Sequence, residues 1–110
     1  MSQHPKFIII YVTCASMEQA KEIGRHLLEK KLCACVNILP EMHSLYFWPK
    51  APTVEEGKEV VLLLKTKKSL FANIEKEIQK MHSYDIPCIF SFPIENLSSD
   101  YEKWIEDQLS

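Results

Sequence analysis

Apolar residues along this chain fall into continuous runs and periodic ones. Residues 6–14 (KFIIIYVTC) and 59–65 (EVVLLLK) show no alternation, and such runs predict strands buried on both faces. Residues 31–48 (KLCACVNILPEMHSLYFW) set Leu32, Ala34, Val36 and Ile38 against Cys33, Cys35, Asn37 and Leu39, a long extended segment with apolar side chains on both faces. Pro40 lacks a backbone donor and marks a bend or an edge position within it. Residues 88–93 (CIFSFP) form a fourth, short strand, and Pro93 also suits a sheet edge.

Between these runs the spacing becomes helical. Ser16 and Gln19 make a capping-box pattern, and Ala20, Ile23 and Leu27, with Gly24 and Leu28, line one face of a helix to about Lys30. Ser69 starts a second helix, with Phe71, Ile74 and Ile78 or Met81 inward and Glu75, Lys76 and Lys80 outward. Ser99 and Glu102 repeat the capping pattern before a last helix through Leu109, with Tyr101, Trp104, Ile105 and Leu109 apolar. Residues 49–58, with two prolines and a glycine, predict an irregular connection. Pro87 biases Ile86 toward extended geometry in the turn-like residues 82–87. The order β-α-β-β-α-β with an extra C-terminal helix predicts an α+β fold, a ferredoxin-like sandwich, as one domain over residues 1–110.

In that fold two helices cover one face of the sheet, so the other face of a monomer should alternate with polar residues, which FIIIYV and VVLLL do not. Each Ile, Val or Leu left in water forgoes roughly 1.5–3 kcal/mol of burial. A C-terminal helix of about ten residues hides part of that face and leaves Tyr46, Phe47 and Trp48 uncovered. The expectation is a homo-oligomer.

A net charge of −2 with mixed signs gives no electrostatic footprint for nucleic acid. The N-terminal apolar run is too short for a signal peptide core or a membrane span, which predicts a cytoplasmic protein beginning near Met1. The four cysteines (Cys14, Cys33, Cys35, Cys88) are then expected as free thiols. With two glycines and no nucleophile elbow or P-loop, the sequence carries no enzyme signature and disfavours a nucleotide-binding loop. Cys33 and Cys35, two apart on a strand, read either as a soft-metal pair or as small buried hydrophobes. His4, His26 and His43 are isolated and expected at the surface.

LCACVNILPEMHSLYFW, the strand from Glu59 to Lys65-Thr66, HSYDIP at residues 82–87 and the span Tyr101 to Trp104 together resemble the CutA family of divalent-cation tolerance proteins. The resemblance runs from about Phe7 to Trp104. It implies a PII-like homotrimer in which the long second and third strands pair across subunits. It also implies a role in divalent-cation (copper) tolerance, with copper or another divalent cation as the one cofactor. Some family members are thought to hold copper through two adjacent residues ending at the histidine, plus a cysteine in the first strand. The corresponding set here is Met81, His82 and Cys14; Val12 occupies the family's cysteine position and Cys14 lies two residues on. Ser83, Asp85 and Cys88 replace the motif's proline and two glutamates. The resemblance gathers Trp48, Glu59, Lys65, Tyr84 and Asp85 in a cleft between subunits. There they serve either as a small-molecule site, the alternative being a PII-like signalling or scaffold trimer, or as ion pairs locking the assembly. His82 itself reads either as a metal ligand or as a helix C-terminal residue meeting the last carbonyls.

Overall fold

The computed structural model describes residues 5–48 and 52–110. Strand β1 (Phe7–Cys14) leads into helix α1 (Met17–Glu29), then strands β2 (Cys35–Tyr46) and β3 (Glu55–Lys67). Helix α2 (Phe71–Met81), strand β4 (Ile89–Ile94) and helix α3 (Ser99–Leu109) complete the chain. The sheet is antiparallel with strand order β2-β3-β1-β4, which gives the α+β, ferredoxin-like arrangement the sequence predicts. Pro40 and Pro93 both fall on edge strands, where a missing N–H breaks no interior ladder.

Even-numbered residues of β1 and β3 face the two long helices. Ile10, Val12, Leu62 and Leu64 are wholly buried there with Ile23, Leu27, Ile74 and Ile78. Gly24 lets α1 approach β2 closely: a Cβ there would sit 2.8 Å from Val36 Cγ1. Leu28, expected on the same face, is instead exposed, because the apolar stripe passes through Gly24 and Leu27. Helix α3 packs on the opposite face at one end only, where Ile105 is buried against Phe7 and Ala34. Glu106 ties it down by pairing with Lys6 and, at 2.9 Å, with Lys67.

The element ends depart from expectation for local reasons. After α1, Lys31 takes a left-handed φ of 62°, with Lys31 N–H donating to Leu28 O and Leu32 N–H to Leu27 O. This is the Schellman arrangement that stops a helix. Thr66, fully buried, then donates its hydroxyl to Leu32 O at 2.6 Å, and Ala34 N–H bonds Lys65 O. Leu32 to Ala34 are thus occupied in a tied-down link, and β2 begins at Cys35 rather than Lys31. Cys33 is buried beneath the helices, whereas Cys35 sits opposite Lys65, so the two thiols do not share one surface.

Ser16 caps α1 as expected, but Gln19 returns its side-chain bond to Ala15 N–H instead of Ser16. A 3₁₀ turn (Lys68–Leu70) precedes α2, so Ser69 does not cap it. Ser98, not Ser99, caps α3 by accepting from Tyr101 N–H. Part of the expected irregular connection is strand: β3 starts at Glu55. Residues 49–51 of that connection, and His4, lie outside the described residues.

Candidate functional site

The site begins with a change of parity in β2. Leu39 pairs with Val61 and Met42 with Glu59, so Pro40 and Glu41 together oppose one residue of β3. This is a β-bulge, and Glu41 adopts a left-handed φ of 60° within it. Before the bulge the odd-numbered Cys35, Asn37 and Leu39 face away from the helices. Beyond it the even-numbered Met42, Ser44 and Tyr46 take that side. They line a groove of about 890 Å³, with Glu59 on its floor and Trp48, Tyr84 and Asp85 on its walls.

Glu59 is the hub of this groove. Ser44 donates to its Oε1 at 2.6 Å and the Tyr84 phenol to its Oε2 at 2.9 Å. Burial, then that hydrogen bond and the Glu59 charge, push the Tyr84 phenol up to about 12. Burial and the same charge hold the Cys88 thiol above its ordinary value. Tyr11 is raised as well, by burial first and then by Cys88 and Glu59. Tyr11 also donates to Met42 Sδ at 3.4 Å and stacks on Phe90, with ring centroids 4.8 Å apart. The hydroxyl and thiol groups around Glu59 therefore stay protonated at neutral pH. Among the described residues no lysine, arginine or histidine pairs with it.

The structure gathers four of the five expected cleft residues: Trp48, Glu59, Tyr84 and Asp85. Lys65 is not among them. It lies six residues along β3 from Glu59, roughly 20 Å away, with its Nζ 5.7 Å from the centre of the Tyr101 ring. Within one subunit the lysine that lines the cleft is therefore Lys58, not Lys65.

Met81, His82 and Cys14 do converge on one end of the fold, but not as a ligand set. His82 Nε2 lies 2.7 Å from Thr13 O, to which it donates, and Nδ1 accepts from Tyr84 N–H at 3.1 Å. Both ring nitrogens are used, and the ring reaches β1 rather than the last carbonyls of α2. Cys14 is wholly buried, and burial, with the Glu59 charge, pushes its thiol up to about 11, far from the thiolate that metals take. Met81 packs against the helix-covered core. These residues as arranged do not fit copper. Among the described residues no group of three or more His, Cys, Asp and Glu is placed to hold a metal ion.

Ser44, Tyr46, Met42 and Tyr11 are groove residues that the sequence reading missed. Pro40 was the signal that could have found them, since a break there resets the count of which residues face which side. His26, expected to be isolated, bonds Glu77 across α1 and α2 at 2.7 Å.

Residues 8–108 match the family model for CutA1 divalent ion tolerance protein. The chain is 41% identical over 98 residues to a divalent-cation tolerance protein CutA of Archaeoglobus fulgidus, covering 89% of this chain and 93% of the relative. It is 35% identical over 95 residues to the human protein CutA, covering 86% of this chain and 52% of that longer one. Its structure superposes on CutA1 from Oryza sativa with a TM-score of 0.90 at 30% identity, over 99% and 98% of the two chains. A CutA from Archaeoglobus fulgidus described as periplasmic superposes with a TM-score of 0.89 at 38% identity, over 94% and 99%.

Proposed function

This chain belongs to the CutA1 family of divalent ion tolerance proteins, and from that premise we propose that it serves divalent-cation tolerance as a homotrimer. The observation that carries the assembly is the β2–β3 hairpin beyond the bulge, which extends past all three helices. The subunit measures 48 × 31 × 23 Å, and its radius of gyration of 15.2 Å exceeds the ~13 Å of a compact chain this long. A bare two-stranded hairpin is marginal in water, and this one exposes Leu39, Leu45, Phe47 and Val54. On the side of the sheet away from α1 and α2, Phe90 and Phe92 of the edge strand β4 are also exposed. A hairpin laid across a neighbour's open face and edge buries both surfaces at once. The number three follows the resemblance drawn from the sequence. Light scattering at micromolar concentration tests it: the unaltered chain should have the mass of three copies and a Phe92→Lys variant a smaller mass. A single-copy mass for the unaltered chain overturns the reading.

Tolerance on this reading does not run through a copper centre at His82. Titration calorimetry with Cu(II) should give the same result for the unaltered protein and for His82→Ala, since that ring is already engaged. The free state of all four cysteines, two of them buried, supports a reducing compartment such as the cytoplasm. Among the described residues no helix is long and apolar enough to cross a membrane. A second reading, a trimer that binds a small molecule in a PII-like manner, is favoured by the groove around Glu59, whose volume lies within the ~300–1,000 Å³ of ligand sites.

A further inference from the structure

We propose that the groove around Glu59 takes a small organic cation, an ammonium carried on an apolar or aromatic body. The proposal rests on the second reading above, that the groove stays open to a small molecule in the assembly, and it names the chemistry of that molecule.

Charge is the first argument. Glu55, Glu59 and Asp85 line the groove against the one lysine among the described lining residues, Lys58. Glu59 is the carboxylate held in place. Each of its oxygens accepts a hydroxyl, so its orientation is fixed by donors that bring no positive charge. Two other carboxylates held by hydrogen bonds have lysines beside them instead. Glu77 has Lys30 and Lys80 beside it, and Glu106 has Lys6 and Lys67. A positioned carboxylate without a cation, in a concave site, is half of an ion pair.

The walls supply the second argument. Tyr11, Tyr46, Trp48, Tyr84 and Phe90 bring five aromatic rings to the groove, and Tyr46 and Trp48 meet edge to face with centroids 6.4 Å apart. Aromatic faces attract ammonium groups, more strongly as water is excluded, and cages of them recognise choline and methylated lysine. The alternatives fit less well. Within one subunit an anion would meet Glu55, Glu59 and Asp85, with Lys58 as the one lysine among the described lining residues to offset them. A bare metal ion would need a cluster of ligands that the described residues do not present.

Three probes with one body and three charges test this: benzylammonium, benzyl alcohol and benzoate. Binding is read by titration calorimetry near neutral pH. Benzylammonium should bind at least tenfold more tightly than benzyl alcohol, and benzoate not measurably. Glu59→Gln and Trp48→Ala should each weaken benzylammonium about tenfold, while Lys65→Ala leaves it unchanged. Equal binding of benzylammonium and benzyl alcohol, or a preference for benzoate, overturns the proposal using the unaltered binding residues alone. So does full benzylammonium affinity in Glu59→Gln. Light scattering on the same samples separates the two readings. A single-copy protein that still prefers benzylammonium removes the trimer and keeps this site; a trimer that shows no preference removes this site alone.

Discussion

The two halves of the β2–β3 pair both carry large apolar side chains and house them differently. Along its inner half, Leu62 and Leu64 are wholly buried beneath α1 and α2. Along its outer half, Leu45 is 71% exposed and Phe47, just beyond β2, 68% exposed. Lengths explain the difference. Thirteen residues of α1 and eleven of α2 span about 20 and 16 Å, whereas thirteen residues of β3 reach about 43 Å. The helices end before the strands do. Hydrophobicity states that a residue will be covered, and element length decides whether its own chain can do it.

The largest expected effect probes the inner half. Leu62→Ala should lower unfolding free energy by about 2–5 kcal/mol, read by denaturant titration. Leu45→Ala should leave the stability of an isolated subunit within ~0.5 kcal/mol. If both changes cost the same in a single-copy preparation, the division between the halves is wrong. Gly24→Ala tests how tightly the inner half is packed. A helix normally gains about 1 kcal/mol from that exchange, but the new methyl would press on a stiff, β-branched Val36. Overpacking of about 1–3 kcal/mol should win, giving net destabilisation of roughly 1 kcal/mol by the same titration. A more stable variant would show that the strand yields there.

Acid should loosen the inner half between its two helices. Glu77 lies below its ordinary value of 4.5, first through the hydrogen bond from His26 and then through Lys30 and Lys80. A carboxyl depressed on folding stabilises the fold above pH 4.5, and that contribution fades as pH falls through the lower folded value. Glu77→Gln should therefore flatten the pH dependence of melting temperature below about 4.5, and an unchanged profile would discount the bridge. The smallest effect concerns the link out of α1. Glycine at Lys31 relieves a left-handed residue at about 1–2 kcal/mol but adds freedom to the unfolded chain worth about 0.5–1 kcal/mol. Lys31→Gly should gain a few tenths to about 1 kcal/mol, detectable as a small rise in melting temperature.

Much of this fold could be read from side-chain pattern. The unbroken runs of β1 and β3 and the 3.6-residue stripe of Ala20, Ile23 and Leu27 each belong to one element, and pattern reports single elements well. Element ends were harder, since they depend on partners distant in sequence: the Thr66 hydroxyl on Leu32 O sets where β2 begins. The groove was half visible. Trp48, Glu59, Tyr84 and Asp85 lie together in one subunit, while Lys65, which the resemblance sets with them across a subunit boundary, lies far from them within it. Ser44 and Tyr46 were hidden because period-two counting assumes an uninterrupted ladder, and Glu41 interrupts it.

That interruption divides a single strand into two clocks. Amide protons of residues 35–39 sit in the helix-backed ladder and exchange only when the subunit opens. Those of residues 42–46 belong to a ladder that no helix of the same subunit backs, so their exchange follows whether a second copy is present. Hydrogen exchange along β2, read on either side of Pro40 and Glu41 as the protein is diluted, would time folding and association separately within twelve consecutive residues.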